Sequence, residues 1–221
     1  MKRIALALLA SLAACGGNSA ATNQNIPGTG SSTLLVTADV TASTSNGSPV
    51  TSFQVDVRDG VGNKVSGATV SISNGALGSV PLVEANAGTG RYLNSRSSIP
   101  SGNFTLSVVR STDKVEGVVV GGPGVCTINA PVQNATVPAN QPLALSWTTP
   151  SQAKSVSIST RDFSAQAPDS GAYTIPAASN PPRTDQRLIL SRFNEVDIAG
   201  GLSGSRLRVT FTSTVDPFVV Q

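Results

Sequence analysis

The chain has 221 residues, with 15 Lys and Arg against 12 Asp and Glu, and it contains no histidine. The lack of histidine removes the commonest general base and the commonest metal ligand, so we expect a protein without catalytic machinery, metal or other cofactor. The near balance of charge argues against a nucleic-acid partner, because phosphate binding needs clustered cations.

The N-terminal residues carry the features of an export signal. Lys2 and Arg3 precede an apolar run over residues 4–12, which is too short for a stable membrane span. The run ends in Leu12-Ala13-Ala14-Cys15, which resembles the lipobox of bacterial lipoproteins. The resemblance implies cleavage between Ala14 and Cys15, and attachment of diacylglycerol and an N-acyl chain to Cys15. An ordinary secretory signal that is cut elsewhere is the alternative.

The residues around the cysteine also predict where the protein is held. Two acyl chains are enough for a stable membrane anchor. Gly16, in place of aspartate, resembles the pattern for transport to the outer membrane of a Gram-negative cell. Residues 16–32 hold few groups that build a core, so residues 15–32 are predicted to be the lipidated cysteine and a flexible linker.

From residue 33 onward, apolar and polar residues alternate, which is typical of half-buried strands in an antiparallel sheet. In residues 33–121 the alternation is clearest around Phe53, Val70 and Phe104, with turn-forming residues between the segments. The motifs "VDVRDGVGNKVSGATVSI", "GRYLNS" and "PSGNFTLSVV" resemble the bacterial immunoglobulin-like modules of secreted and surface proteins. The resemblance implies a β-sandwich of about seven short strands.

A Gly- and Pro-rich segment at residues 121–124 marks a boundary, and a second β-rich segment covers residues 122–221. Its opening, "APVQNATVPANQPLALSWTTPSQAKSVSIS", resembles a fibronectin type III-like module, which implies that Trp147 is the core aromatic residue. Val156 replaces the tyrosine that is usual in that family. The predicted fold class is therefore all-β, with two tandem immunoglobulin-like antiparallel β-sandwiches over residues 33–121 and 122–221.

Three local patterns have both a chemical and a structural interpretation. Ser151 and Lys154 match the S-x-x-K motif of penicillin-recognising enzymes, but they lie in a predicted turn and lack the helix that this chemistry needs. Asp59 and its neighbours suggest calcium, but their spacing is not that of a calcium loop and a turn-stabilising role is favoured. For Cys126, a buried unreactive thiol is favoured over an intermolecular disulfide.

Four arginines of the second segment form the candidate surface contact: Arg187, Arg192, Arg206 and Arg208. If their strands are neighbours, some of these side chains share a face that meets an anionic glycan or a lipid headgroup. Acidic residues are interspersed with them, so a solvated sheet face without a ligand is the alternative. On the last strand, the inward-facing residues are predicted to be Leu207, Val209 and Phe211.

These features favour a lipid-anchored cell-envelope protein, held to the membrane through Cys15, that acts as a non-catalytic binding or structural module. Its partner is expected to be an envelope protein or a glycan. A periplasmic assembly or stress accessory that binds a partner protein is the second hypothesis. A small hydrolase using serine or carboxylate chemistry is the third, and the absence of histidine, of a nucleophile elbow and of metal-ligand clusters from the sequence counts against it.

Overall fold

The computed structural model of the chain describes residues 24–45 and 48–221. The predicted signal peptide, the Ala14–Cys15 cleavage site and the acylated Cys15 lie outside the described residues. Within the described ranges the fold is all-β, with no α-helix, and none of these residues forms a helix long and apolar enough to cross a membrane. The strands are β1 Ile26–Gly30, β2 Leu34–Ser45, β3 Ser48–Asp59, β4 Thr69–Asn74, β5 Gly78–Glu84, β6 Arg91–Arg96, β7 Asn103–Arg110, β8 Asp113–Gly121, β9 Ile128–Ala130, β10 Thr136–Val137, β11 Leu143–Trp147, β12 Ser155–Ser159, β13 Ser164–Ala167, β14 Ala172–Ile175, β15 Arg183–Asp197 and β16 Arg206–Val220, with one short 3-10 helix at Ala177–Ser179.

The first core lies between two layers of one continuous sheet. One layer has the order β1-β8-β7-β4-β5, and the other has the order β6-β3-β2-β16-β15. Strand β5 joins the layers, because residues 78–82 pair with β4 while Val83 and Glu84 pair with β6. Alternation turns every second side chain inward, and the buried residues of this core include Val36, Phe53, Ile72, Tyr92, Phe104 and Leu106.

The second core lies between a three-stranded sheet and the far end of the same large sheet. The small sheet has the order β14-β11-β9, and it faces β16, β15, β12 and β13. Trp147 is buried here, which confirms its predicted role as the core aromatic residue. The other buried residues include Leu143, Leu145, Val156, Ile158, Leu188 and Phe218.

One long hairpin, β15 and β16, passes through both cores. Its strands pair from Asp197 and Arg206 at one end to Arg183 and Val220 at the other. The first half of β16 packs in the first core, where the three residues predicted to face inward are buried, and the second half packs in the second core. Residues 206–212 of β16 also pair in parallel with β2, which joins the two halves of the chain into one sheet.

The β-sandwich prediction is confirmed, and two details of it are wrong. First, β16 pairs in parallel with both β2 and β10, whereas only antiparallel pairing was expected. Second, the first core is not built from residues 33–121 alone, since Ile198, Leu207, Val209 and Phe211 complete it. Because strand pairing depends on backbone hydrogen bonds between distant segments, an alternating pattern does not specify which strand fills an open edge.

Residues 15–32 were predicted to be the lipidated cysteine and a flexible linker. The structure differs at Ile26–Gly30, which forms strand β1 and pairs with the edge of β8. The backbone supplies this pairing, so a segment poor in core-forming side chains still joins the sheet. The loop that connects β15 to β16 covers β1, with Ala199 N donating to Pro27 O at 3.0 Å. The backbones of this loop and of β1 are in contact at Gly200 and Gly30, and a Cβ on Gly200 would collide with Gly30 N.

The shared hairpin predicts that the two cores unfold together. A chain that ends at Gly121 lacks β15 and β16, so β2 keeps β3 but loses its parallel partner β16, and the first core loses buried apolar area that contributes about 25 cal/mol per Å². We expect the full chain to unfold in urea with one midpoint, reported alike by Trp147 fluorescence and by hydrogen exchange of β4 and β7 amides. The chain ending at Gly121 should show no cooperative transition. Two separate midpoints, or a stable fragment, would contradict the shared-hairpin architecture.

Candidate interaction surface

The large sheet presents one outer face that crosses strands from both halves of the chain. We call the outward residues of β15, β16, β2, β3 and β6 the outer sheet face. Strand register places them in three rows. The rows are Asp197, Arg206, Thr37, Asp56 and Arg91; then Glu195, Arg208, Asp39, Gln54 and Leu93; then Phe193, Thr210, Thr41, Ser52 and Ser95.

An ion network occupies the β15, β16 and β2 part of this face. The Glu195 carboxylate lies 2.6 Å from the Arg208 guanidinium and 3.6 Å from both Arg206 and Lys154. Arg206 also contacts Asp39 at 2.9 Å. The guanidinium of Arg208 lies 4.8 Å from the centre of the Phe193 ring, a cation–π contact. The network therefore holds two of the four predicted surface arginines in fixed positions.

The pKa of Glu195 is lowered by its cationic neighbours. Burial opposes ionisation of this carboxyl, but the hydrogen bond from Arg208 and the charges of Arg208, Lys154 and Arg206 outweigh it. Glu195 is therefore an ionised acceptor at neutral pH, and it stabilises the positions of the cations around it.

Two hollows lie side by side on the β2, β3 and β6 part of the face. The first, which we call the polar groove, has a volume of about 660 Å³. The second, which we call the cationic hollow, has a volume of about 380 Å³. Leu93 lines both, so the two hollows are adjacent. The groove is lined by Asp39, Thr41, Ser52, Phe53, Gln54, Leu93, Asn94 and Ser95, and the hollow by Asp56, Val57, Arg58, Lys64, Ala85, Asn86, Thr89, Gly90, Arg91 and Leu93.

Arg192 is not on the surface, so its assignment to a surface contact is wrong. The side chain is fully buried and forms a bidentate pair with buried Asp169, whose carboxylate also accepts the Trp147 indole N–H at 2.9 Å. The same guanidinium donates to the carbonyl oxygens of Pro123, Gly124 and Ser151. Every second residue of β15 points inward, and Arg192 follows Leu188 and Leu190 in that series.

The other predicted site residues fall in separate places. Arg187 is exposed, and it does not belong to the three rows of the outer sheet face. Cys126 is buried, and its Sγ lies 3.4 Å from Ser213 Oγ, as expected for an unreactive thiol. Ser151 lies in a loop where its carbonyl oxygen accepts a hydrogen bond from Arg192, and the Lys154 ammonium pairs with Glu195.

Asp59 has the predicted turn-stabilising role. Its Oδ1 accepts hydrogen bonds from the backbone N–H groups of Val61 and Asn63, at 3.0 and 2.8 Å. Its Oδ2 accepts a third from the Asn63 side chain at 3.1 Å. These bonds hold the carboxylate inside the turn and lower its pKa against the opposing effect of desolvation.

The sequence analysis missed the cations of the cationic hollow, namely Arg58, Lys64 and Arg91. Their signal is present in "VRDGVGNKV", where Arg58 and Lys64 flank the turn of Asp59 and Asn63. A tight turn between short strands brings the flanking residues opposite one another. Arg91 lies on a distant strand, and only the register of β3 with β6 places it beside Asp56.

Comparisons with known proteins add little to this description. The sequence matches no protein-family model and no curated protein. Among solved structures it is similar to the fibronectin(III)-like modules of Clostridium thermocellum CbhA, with 14% identity and a TM-score of 0.28 over 80% of this chain and 92% of that one. It is also similar to the Yersinia pseudotuberculosis adhesin InvE, with 14% identity and a TM-score of 0.27 over 84% of this chain and 60% of the adhesin. TM-scores of this size do not establish a shared fold, so the architecture rests on the strands and cores described above.

Replacement of Arg192 should destabilise the protein strongly. Arg192→Leu leaves the Asp169 carboxylate buried without its cation, and three carbonyl oxygens lose their donor. Breaking a buried ion pair in this way costs about 3–5 kcal/mol. We expect a fall of that size in the urea unfolding free energy, while Arg187→Leu at an exposed position should change it by less than about 0.5 kcal/mol. Equal effects of the two substitutions would contradict the structural role of Arg192.

The Glu195 network should make part of the stability depend on acid pH. Because the folded-state pKa of Glu195 lies below its ordinary value of 4.5, its contribution is present above pH 4.5 and is lost as pH falls from 4.5 through the lowered pKa. Glu195→Gln should therefore destabilise the protein at pH 7 and differ less from wild type near pH 3. Glu116→Gln, at a carboxylate with one exposed lysine partner, is the control. Urea midpoints at both pH values test this, and an unchanged difference would contradict it.

Proposed function

We propose that this protein is a lipid-anchored component of the cell envelope that acts as a non-catalytic binding module through its outer sheet face. The observation that supports this proposal is the pair of adjacent hollows on that face, the polar groove and the cationic hollow. The groove offers hydroxyl, carboxamide and carboxylate groups on rigid strands, and sites built on strands hold such groups in fixed positions.

The protonation states on the protein also favour recognition over acid–base chemistry. The carboxyl groups of Asp59, Glu84, Asp162 and Glu195 all have pKa values below their ordinary values. A general acid or base works best with a pKa near the operating pH, so shifts in this direction oppose that role.

The position of the first described residues supports close attachment to a membrane. Gln24 N donates to Asn103 Oδ1 at 3.4 Å, so the chain joins the body near the start of β7. Nine residue steps separate Gln24 from Cys15, and a fully extended chain of that length spans about 32 Å. If Cys15 is acylated, Gln24 lies at most about 32 Å from the lipid headgroups. The outer sheet face then lies no farther from the membrane than that distance plus the width of the folded body. We propose the outer membrane as the location, in a Gram-negative cell.

The anchor is tested by Cys15→Ser. We expect the wild-type protein to incorporate labelled palmitate and to sediment with membranes, and the variant to lose the label and to be released or left unprocessed. Ala21→Ser, a substitution of similar size outside the lipobox, is the control. A variant that keeps both the label and the membrane association would overturn the anchor.

Protease treatment of intact cells then separates two forms of the proposal. Digestion of the second half of the chain outside intact cells supports contact with an external ligand. Protection until the outer membrane is opened supports the periplasmic accessory that binds a partner protein.

A further inference from the structure

We infer that the cationic hollow binds a phosphate group carried by a sugar, so that the ligand of the outer sheet face is an acidic saccharide. This inference rests on the proposed function of that face as a binding surface. The residues that carry it are Arg58, Lys64 and Arg91, with Gly90 in the wall and the polar groove next to them.

Arg58 and Lys64 are two like charges placed directly opposite one another. Asp59 N donates to Asn63 O at 2.9 Å and Val65 N donates to Val57 O at 3.0 Å, so Arg58 and Lys64 form the non-hydrogen-bonded pair between these bonds. The Cα atoms of such a pair lie about 4.5 Å apart and the side chains are close. Like charges opposite one another destabilise a sheet, and an anion between them would remove the repulsion.

No carboxylate in the described part of the chain neutralises this pair. Asp56 is held by Arg91 at 2.9 Å and by the Gln54 side chain at 2.8 Å, and Asp59 is held inside its turn. Among residues 24–45 and 48–221, neither Arg58 nor Lys64 has a carboxylate oxygen within salt-bridge distance. The hollow thus presents three cations and one carboxylate, and two of the cations have no anionic partner.

The shape of the hollow suits a small anion with a sugar attached. Its volume of about 380 Å³ falls within the range of small-molecule sites. Gly90 allows the wall of the hollow to approach the backbone of Val57 closely. Its φ is +60°, and a Cβ at this position would lie 2.6 Å from Val57 O. Arginine binds phosphate oxygens with two parallel hydrogen bonds, and lysine adds a point charge, so Arg58 and Lys64 together match a phosphomonoester.

The polar groove supplies the place for the sugar ring. It begins at Leu93, whose side chain is 39% exposed and lies between the two hollows. Beyond Leu93 the wall offers the hydroxyls of Ser52 and Ser95 and the carboxamide of Gln54, of which one N–H is already donated to Asp56. These groups both donate and accept hydrogen bonds, as sugar hydroxyls require. A saccharide that extends from a phosphate in the cationic hollow would pass the Asp56–Arg91 pair on its way to Leu93 and the groove.

The test is a titration of the purified full chain, in nonionic detergent where acyl chains are attached, with inorganic phosphate, glucose-6-phosphate and glucose. Binding is followed by calorimetry and by amide shifts of β3 and β6 at low salt. We expect glucose-6-phosphate to bind more tightly than inorganic phosphate, and glucose to bind weakest. Arg58→Ala/Lys64→Ala should weaken glucose-6-phosphate binding about tenfold or more. The control, Arg110→Ala/Lys114→Ala, removes one exposed arginine and one exposed lysine from the other layer of the sheet and should leave the affinity unchanged.

A measurement of the melting temperature without ligand tests the same two residues, Arg58 and Lys64. Lys64→Glu turns the repulsive pair into an attractive one, so it should raise the melting temperature while it abolishes phosphate binding. Absence of phosphate or glucose-6-phosphate binding to the wild-type chain would overturn the inference, and so would equal losses in the two double variants. Binding of inorganic phosphate without any gain from the sugar would overturn the saccharide assignment. Because these experiments use purified protein, they fail independently of the Cys15→Ser test of the anchor.

Discussion

The structure depends on the pairing of β15 with β16. This two-stranded ladder runs from the first core to the second, so its backbone hydrogen bonds connect two apolar interiors that the chain otherwise builds separately. The parallel pairing of β16 with β2 extends the ladder into the first half of the chain. As a result the outer sheet face is a single surface to which both halves contribute. A binding surface of this kind keeps its geometry because the strands cannot move independently.

Between the two cores the inward side of β15 is polar. Leu188 and Leu190 face the second core, Arg192 and Asn194 follow, and Ile198 then packs in the first core. A buried guanidinium is costly unless all of its partners are in place. Arg192 meets that condition with Asp169 and with carbonyl oxygens from residues 123, 124 and 151, which fixes the connection between the halves. Asn194 also connects the two halves, because its side-chain amide donates to the carbonyl oxygens of residues 121 and 152.

The charges on the outer sheet face divide into two kinds. Around Glu195 the cations and carboxylates neutralise one another, and the bond lengths of this network indicate a structural role. At the cationic hollow the protein leaves Arg58 and Lys64 facing each other without a carboxylate. The same face therefore contains one region whose charges are paired and another that the proposed ligand would neutralise. Arg206 and Arg208 of the network are paired with carboxylates, whereas Arg58 of the proposed site is not. The net charge of the chain does not reveal this difference.

The sequence by itself determined most of the strands and their faces. Alternation predicted the strands around Phe53, Val70 and Phe104 and the inward side of β16, because the side-chain period of a strand is a local property. The structure turns Arg192 of β15 inward by the same period, whereas the sequence analysis assigned it to the surface because of its charge. The resemblance of residues 12–15 to a lipobox also comes from the sequence alone. Tertiary structure decided the strand order, the parallel pairing of β2 with β16, the recruitment of β1, and the meeting of Arg91 with Arg58 and Lys64. These features depend on backbone hydrogen bonds between distant segments, which many alternating sequences satisfy equally well, so only the assembled sheet selects among them.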